Sequence, residues 1–411
     1  MESVIAAVSR RVWVDAMPRV VVVLVLLGVC GSAQAAVVGG WSQLPLPRVA
    51  PEGSSVTRLG ELVGVSCVSR RWCVAVGSVR ATPARRQGGL VERWGGRRWS
   101  IEGSFVVPGR TRVFIDAVAC RSERWCLAVG SAVEGDGVLT QPFSMLWDGS
   151  RWKLVSVPTP TSTRPVELSA ISCTSTEACV AVGAAGQIRD AQRPVIEEWN
   201  GHRWRDRPQA NVVGELDSVD CTAATTCTAL GSPILAGTPP DPAFLASYPA
   251  LIERRSGAGW TRESLPIAAG ALASLPDAVT CLSARACVSV GASIVTSATP
   301  DQSGTYVPLE ASWRDLSWQP AQPPAATTTA AQVLRAVQCT RHGICVSGGV
   351  YVDPGHGTAP LLARFDGKTW AVTHLPVKTD DIRTVDGISC VSGWCIAVGG
   401  GFSATTTTGS T

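Results

Sequence analysis

Paired cysteines at a fixed spacing, a tryptophan hairpin after each pair, and a detached copy of that hairpin's end near the N-terminus predict an all-β fold. The architecture they imply is a seven-bladed β-propeller of four-stranded blades, closed by the N-terminal strand, with one disulfide per blade. At 411 residues the chain has room for such an array, and 45% hydrophobic residues suffice for its core. The formal net charge of +4 is weak for this length and excludes a nucleic-acid partner.

The cysteine pairs come first. Apart from Cys30, the fourteen cysteines fall as Cys67–Cys73, Cys120–Cys126, Cys173–Cys179, Cys221–Cys227, Cys281–Cys287, Cys339–Cys345 and Cys390–Cys395. First cysteines recur every 48 to 60 residues, and five residues separate the partners in all but the last pair, which has four. Zinc sites favour closer pairs completed by a second pair or by histidines. His202, His342, His356 and His374 do not track the pairs, so the expectation is seven disulfides and no metal. Residues 65–77 read VSCVSRRWCVAVG and residues 171–183 read ISCTSTEACVAVG. Two β-branched runs flank a polar link, a hairpin pattern that sets the cysteines opposite each other.

A second hairpin follows. Residues 90–100 read LVERWGGRRWS, 145–152 MLWDGSRW, 196–204 IEEWNGHRW and 364–370 RFDGKTW. Asp-Gly and Asn-Gly tolerate the positive φ of a tight turn. Copies four and five read as degenerate, with Arg254 to Trp260 and Trp313 to Trp318. Each unit thus holds four short strands, and no segment shows helical periodicity. Approximate blade limits are 55–104, 108–157, 166–209, 214–265, 274–323, 332–376, and 382–411 completed by 36–47.

Ring closure rests on the tryptophan count. The last tryptophan of the hairpin occurs at Trp99, Trp152, Trp204, Trp260, Trp318 and Trp370, and the seventh copy ends without one. Residues 37–47, VVGGWSQLPLP, resemble the missing piece, so Trp41 is expected to lie beside the C-terminal strands. Residues 403–411 read either as a strand or as a disordered tail.

Residues 1–35 read as a signal peptide, with the true start at Met17 as an option. Residues 20–29 are apolar, Arg19 precedes them, and Ala33-Gln-Ala35 forms a small-x-small cleavage site. Ten apolar residues are too few for a membrane-spanning helix, so the domain at 36–411 is expected to be secreted and extracellular. The rivals are an anchor through an uncleaved signal or lipidation at Cys30, and a twin-arginine signal at Arg10 and Arg11.

The turn at Asp366-Gly-Lys-Thr-Trp370 resembles the Asp-box of BNR and sialidase-like propellers, offset by one residue because Asp and Gly are adjacent. The whole unit looks more like the secreted propeller-like repeat proteins of high-GC bacteria, a likeness that spans 37–400. It implies architecture and no particular activity. A sialidase-like site would need an arginine cluster and a Tyr–Glu pair. Arg80, Arg85, Arg86, Arg189 and Arg193 supply arginines, but no Tyr–Glu pair falls at matching repeat positions.

The cysteine hairpins and Asx-Gly turns are expected at one face, and the variable links after each Ala-Val-Gly at the other, where binding residues concentrate. Tyr248, Tyr306, Tyr351, Asp353 and His356 fall in those links. They are candidate ligand-binding residues. The reading as solvated loops with tyrosines packed on prolines competes with this one and is favoured. No nucleophile, zinc, phosphate-loop or calcium-loop motif is present. The expectation is a cofactor-free, non-catalytic, monomeric module binding an extracellular protein or glycan. The alternative is a carbohydrate-active hydrolase, and a third reading is a structural surface protein.

Overall fold

A computed structural model describes residues 59–81, 86–134, 139–158, 165–186, 192–207, 213–232, 250–295, 305–321, 331–340, 343–353, 357–374 and 384–402, with the strand backbones at 19–26 and 41–44. Among the described residues every regular element is a strand. β1 (Arg19–Leu26) and β2 (Trp41–Leu44) precede the first repeat, β3 (Leu59–Ser69), β4 (Trp72–Ala81), β5 (Arg86–Trp94) and β6 (Trp99–Phe105). The second comprises β7 (Arg110–Ser122), β8 (Trp125–Glu134), β9 (Leu139–Trp147) and β10 (Trp152–Val155). The third comprises β11 (Val166–Ser175), β12 (Ala178–Ala185), β13 (Arg193–Trp199) and β14 (Trp204–Asp206). The fourth comprises β15 (Ser218–Ala223), β16 (Thr226–Gly231), β17 (Leu251–Ser256) and β18 (Gly259–Glu263). The fifth comprises β19 (Ala271–Ser283), β20 (Ala286–Val295), β21 (Thr305–Arg314) and β22 (Ser317–Ala321). The sixth comprises β23 (Gln332–Cys339), β24 (Cys345–Asp353), β25 (Gly357–Phe365) and β26 (Trp370–His374), and β27 (Gly387–Val391) and β28 (Trp394–Phe402) end the described chain.

Repeats three to six each form a four-stranded antiparallel meander. Repeats one and two are meanders of the same kind, joined by one parallel bridge between Gln87 and Arg112. The arrangement is propeller-like. First strands meet in succession, β3 against β7, β7 against β11, β11 against β15, β15 against β19, β19 against β23 and β23 against β27, and β27 touches β3. Trp394, Ile396 and Val398 of β28 share a buried cluster with Leu62, Cys73 and Leu90 of the first repeat.

Second strands explain the Cys-Val-Ala-Val-Gly run. In β8 and β12 every residue after the first is buried up to the strand end, because each face packs on a neighbouring sheet. The closing glycine is a steric requirement. A Cβ at Gly77, Gly130, Gly183, Gly231, Gly291, Gly349 or Gly399 would lie 1.7–2.0 Å from a backbone carbonyl oxygen of the segment beside it. In five repeats a β-bulge begins at the residue paired with that glycine, as at Leu62/Gly64 and Leu168/Ala170.

All seven expected disulfides are formed, with Cα–Cα distances of 3.9–4.0 Å. The residue before the first cysteine links one repeat to the next. Ser66 Oγ accepts from Cys120 N at 3.0 Å, Ser172 Oγ from Cys221 N at 3.0 Å, and Asp220 Oδ2 from Cys281 N at 2.7 Å. Gln338 Oε1 accepts from Cys390 N at 2.7 Å, and Ser389 Oγ from Cys67 N at 2.9 Å, the same bond made between the last repeat and the first.

The N-terminus differs from expectation. Trp41–Leu44 does lie in the sheet of β27 and β28, but at its edge, because β1 stands between β2 and β28. β1 is the apolar run read as an export signal. Its valines suit a strand at least as well as a helix. Cys30 and residues 403–411 lie outside the described residues.

Candidate functional site

The Asx-Gly turns build one end of each sheet. Asp148 Oδ1 accepts from the backbone N–H of Ser150 and Arg151, Asn200 Oδ1 from His202 and Arg203, and Asp366 Oδ1 from Lys368 and Thr369, at 2.8–3.1 Å. The glycine that follows has φ of +91° to +101°. Aromatic residues face each other at the base of the turn. Centroid distances are 5.8 Å for Trp94–Trp99, 5.7 Å for Trp147–Trp152, 5.5 Å for Trp199–Trp204, 5.8 Å for Trp313–Trp318 and 5.3 Å for Phe365–Trp370. Copy five, expected to be degenerate, therefore keeps its pair. Its turn is closed by two positive-φ residues, Asp315 and Leu316. The first tryptophan also ties the turn to the cysteine hairpin: Trp94, Trp147 and Trp199 donate Nε1–H to the carbonyls of Arg70, Glu123 and Thr176.

Repeat four departs from this pattern. The residue across from Cys227, where five other repeats carry Trp or Phe, is Arg255, and it pairs with Trp260 on β18. A cleft of about 220 Å³ opens beside it, between β13–β14 of the third repeat and β15–β17 of the fourth. Glu198, next to Trp199 on β13, reaches into it. Glu198 Oε1 receives Arg255 Nη1 at 2.9 Å and Trp260 Nε1 at 3.3 Å, and Oε2 receives Arg207 Nε at 2.9 Å and Nη2 at 2.7 Å. The Glu198 and Arg255 side chains are each only 12% exposed, so their charges face a medium far less polar than water. Arg255 is held further by its Nε–H to Gly257 O at 3.1 Å. Arg205 stands directly across the ladder from Glu198 and is exposed.

A second group of carboxyls lies inside the stack. Glu92, Glu197 and Glu253 occupy equivalent third-strand positions, two residues before the aromatic or its Arg255 replacement, and are buried. Burial pushes Glu92 and Glu197 up to about 8, the latter aided by Asp206 across the strand. Burial also raises Glu253, although the Arg262 guanidinium at 3.5 Å works against the shift. These groups are buried and do not line the cleft between repeats three and four.

Of the residues expected to bind ligand, Tyr306, Tyr351 and Asp353 are described, and none of them lines the cleft. Tyr306 is a strand residue of β21, 7% exposed, inside a cluster with Leu275, Ile294, Val333 and Val350. Tyr351 is in β24, partly buried against the cluster that contains Leu334 and Leu361. Both were expected in links; β-propensity and a facing apolar sheet draw them into strands instead. Asp353 ends β24 in register with Gly357, and Tyr248 and His356 lie outside the described residues. The cleft is at the cysteine-hairpin end, whereas the binding face was expected at the opposite one. The signal in the sequence was the absent tryptophan of copy four, which reads as decay unless its replacement is followed to Glu198.

No protein-family model and no curated protein matches the chain. Among solved structures it is similar to YCF48 from Cyanidioschyzon merolae, with 11% identity, 88% of this chain and 98% of that one covered, and a TM-score of 0.45. It is also similar to virginiamycin B lyase from Staphylococcus aureus (10% identity, 83% and 98% covered, TM-score 0.44). A third is the fucose-specific lectin from Aleuria aurantia (10%, 77% and 96%, TM-score 0.42). None of the three bears on what this cleft holds.

Proposed function

We propose that the chain is a secreted, extracellular seven-bladed propeller that acts as a binding module, with its ligand in the cleft between repeats three and four. The cleft carries the binding reading: a concave site with fixed guanidiniums, placed where the repeat gives up a stabilising aromatic pair. Seven-fold closure is supported by the contact of β27 with β3 and by the Ser389–Cys67 bond, which repeats the links inside the chain. Export is supported by seven disulfides, which persist in oxidising compartments. The partner is an extracellular protein or glycan, bound by a monomer.

The test is the oxidised chain probed against an array of extracellular glycans and proteins, beside a turnover panel of glycoside substrates. Saturable binding that Arg255→Trp removes, with no turnover, is the expected result. Reproducible turnover by the unmodified chain overturns the module reading, as does an array on which Arg255→Trp binds like the parent.

A further inference from the structure

We infer that the cleft takes a carboxylate-bearing ligand the size of one sugar ring, a uronate, with Arg205 as its free cationic donor beside the fixed guanidiniums of Arg207 and Arg255. This deepens the binding-module reading and rests on it.

The first ground is the broken repeat. Five repeats close the outer hairpin with two facing aromatics, and among the described residues the fourth repeat alone sets an arginine there. A tryptophan at 255 would restore that packing. Arg255 instead needs Glu198 to hold it, so the exchange works against stability and in favour of charge in the cleft.

The second ground is the count of charges. Glu198 already accepts from Arg207 on one oxygen, and from Arg255 and Trp260 on the other. A carboxylate so engaged does not also neutralise Arg205, which lies across the ladder on the same face. Arg205 makes no hydrogen bond or ion pair among the described residues. With Glu177 the cleft holds three guanidiniums and two carboxylates, an excess of one positive charge.

The third ground is shape. A guanidinium presents a planar fork that matches a carboxylate in two parallel hydrogen bonds. Glu198 fixes the Arg207 and Arg255 guanidiniums beforehand, and the fork left open to a ligand is that of Arg205. About 220 Å³ holds a single ring. Thr225, on the cysteine hairpin of repeat four, offers a hydroxyl at the rim to the ring's own hydroxyls.

Calorimetric titration of the oxidised chain with glucuronate and with glucose tests the assignment. Glucuronate is expected to bind, more weakly as salt rises, and glucose not to bind. Arg205→Gln, at an exposed position, should weaken glucuronate about ten-fold. Arg255→Trp should abolish binding while the melting temperature stays the same or rises. Equal affinity for the two sugars overturns the carboxylate assignment and leaves the module reading standing. So does failure of glucuronate to bind while the array still yields a ligand that Arg255→Trp removes. Glucuronate binding that neither substitution changes also overturns it.

Discussion

Glu197 has both carboxyl oxygens buried with no hydrogen-bond partner among the described residues, and Glu92 has one such oxygen. Left ionised, either would strand a charge between sheets, so each keeps its proton to about pH 8, against an ordinary 4.5. The consequence for stability has a definite sign. Between pH 4.5 and 8 the unfolded chain has released protons that the folded chain retains. The contribution of these groups is therefore complete below 4.5 and is lost as pH rises through 8. Chemical denaturation across this range should show stability falling with pH, and Glu197→Gln, which carries no proton to lose, should flatten the slope. A parent protein more stable at pH 8 than at pH 5 would contradict this. Arg254 shows the opposite accommodation of charge. Its guanidinium lies 4.0 Å from the centroid of Trp313 and its Nη2 donates to Ala284 O at 2.8 Å, so the cation is held by the next repeat.

At the scale of one repeat, the cysteine hairpin and the glycine do different work. The disulfide closes a short loop and limits the unfolded chain, so Cys173→Ala with Cys179→Ala should cost about 2 kcal/mol in a denaturation curve and leave the sheet formed. Gly183→Ala should cost more, about 3 kcal/mol, because the added Cβ meets the Glu167 carbonyl oxygen at 1.9 Å and a main-chain atom does not rotate away. Four strands per unit were legible from cysteine, Asx-Gly and tryptophan positions, since turns and covalent links are local chemistry. The links between repeats were not. Ser66 and Ser172 look like ordinary strand residues until the neighbouring sheet presents a backbone N–H to each. Tyr306 and Tyr351 were read as link residues, whereas each joins a cluster that combines side chains of repeats five and six. The cleft was half legible: copy four visibly lacked the first aromatic of its hairpin, but the partner that gives Arg255 a purpose lies in copy three.

For the whole molecule, the decisive contact joins residues 322 apart in sequence, Cys67 N to Ser389 Oγ. In a closed ring this seam should cost as much to open as any other. Ser389→Ala and Ser172→Ala are expected to destabilise equally, by about 1 kcal/mol each. A silent Ser389→Ala beside a destabilising Ser172→Ala would mean that the ring stands open. The glycine at the end of each Ala-Val-Gly run carries one more consequence, and it concerns inheritance. The obstacle to any other residue there is a backbone oxygen, common to every amino acid, so no second mutation in a neighbouring side chain can compensate. Divergence can therefore erase an aromatic and the Asx-Gly turn from a copy, as in the fourth, while this codon stays locked. A saturation library scored for folded protein should show seven troughs of intolerance, 48 to 60 residues apart. The same column would count ancestral duplications in lineages whose cysteines have been lost.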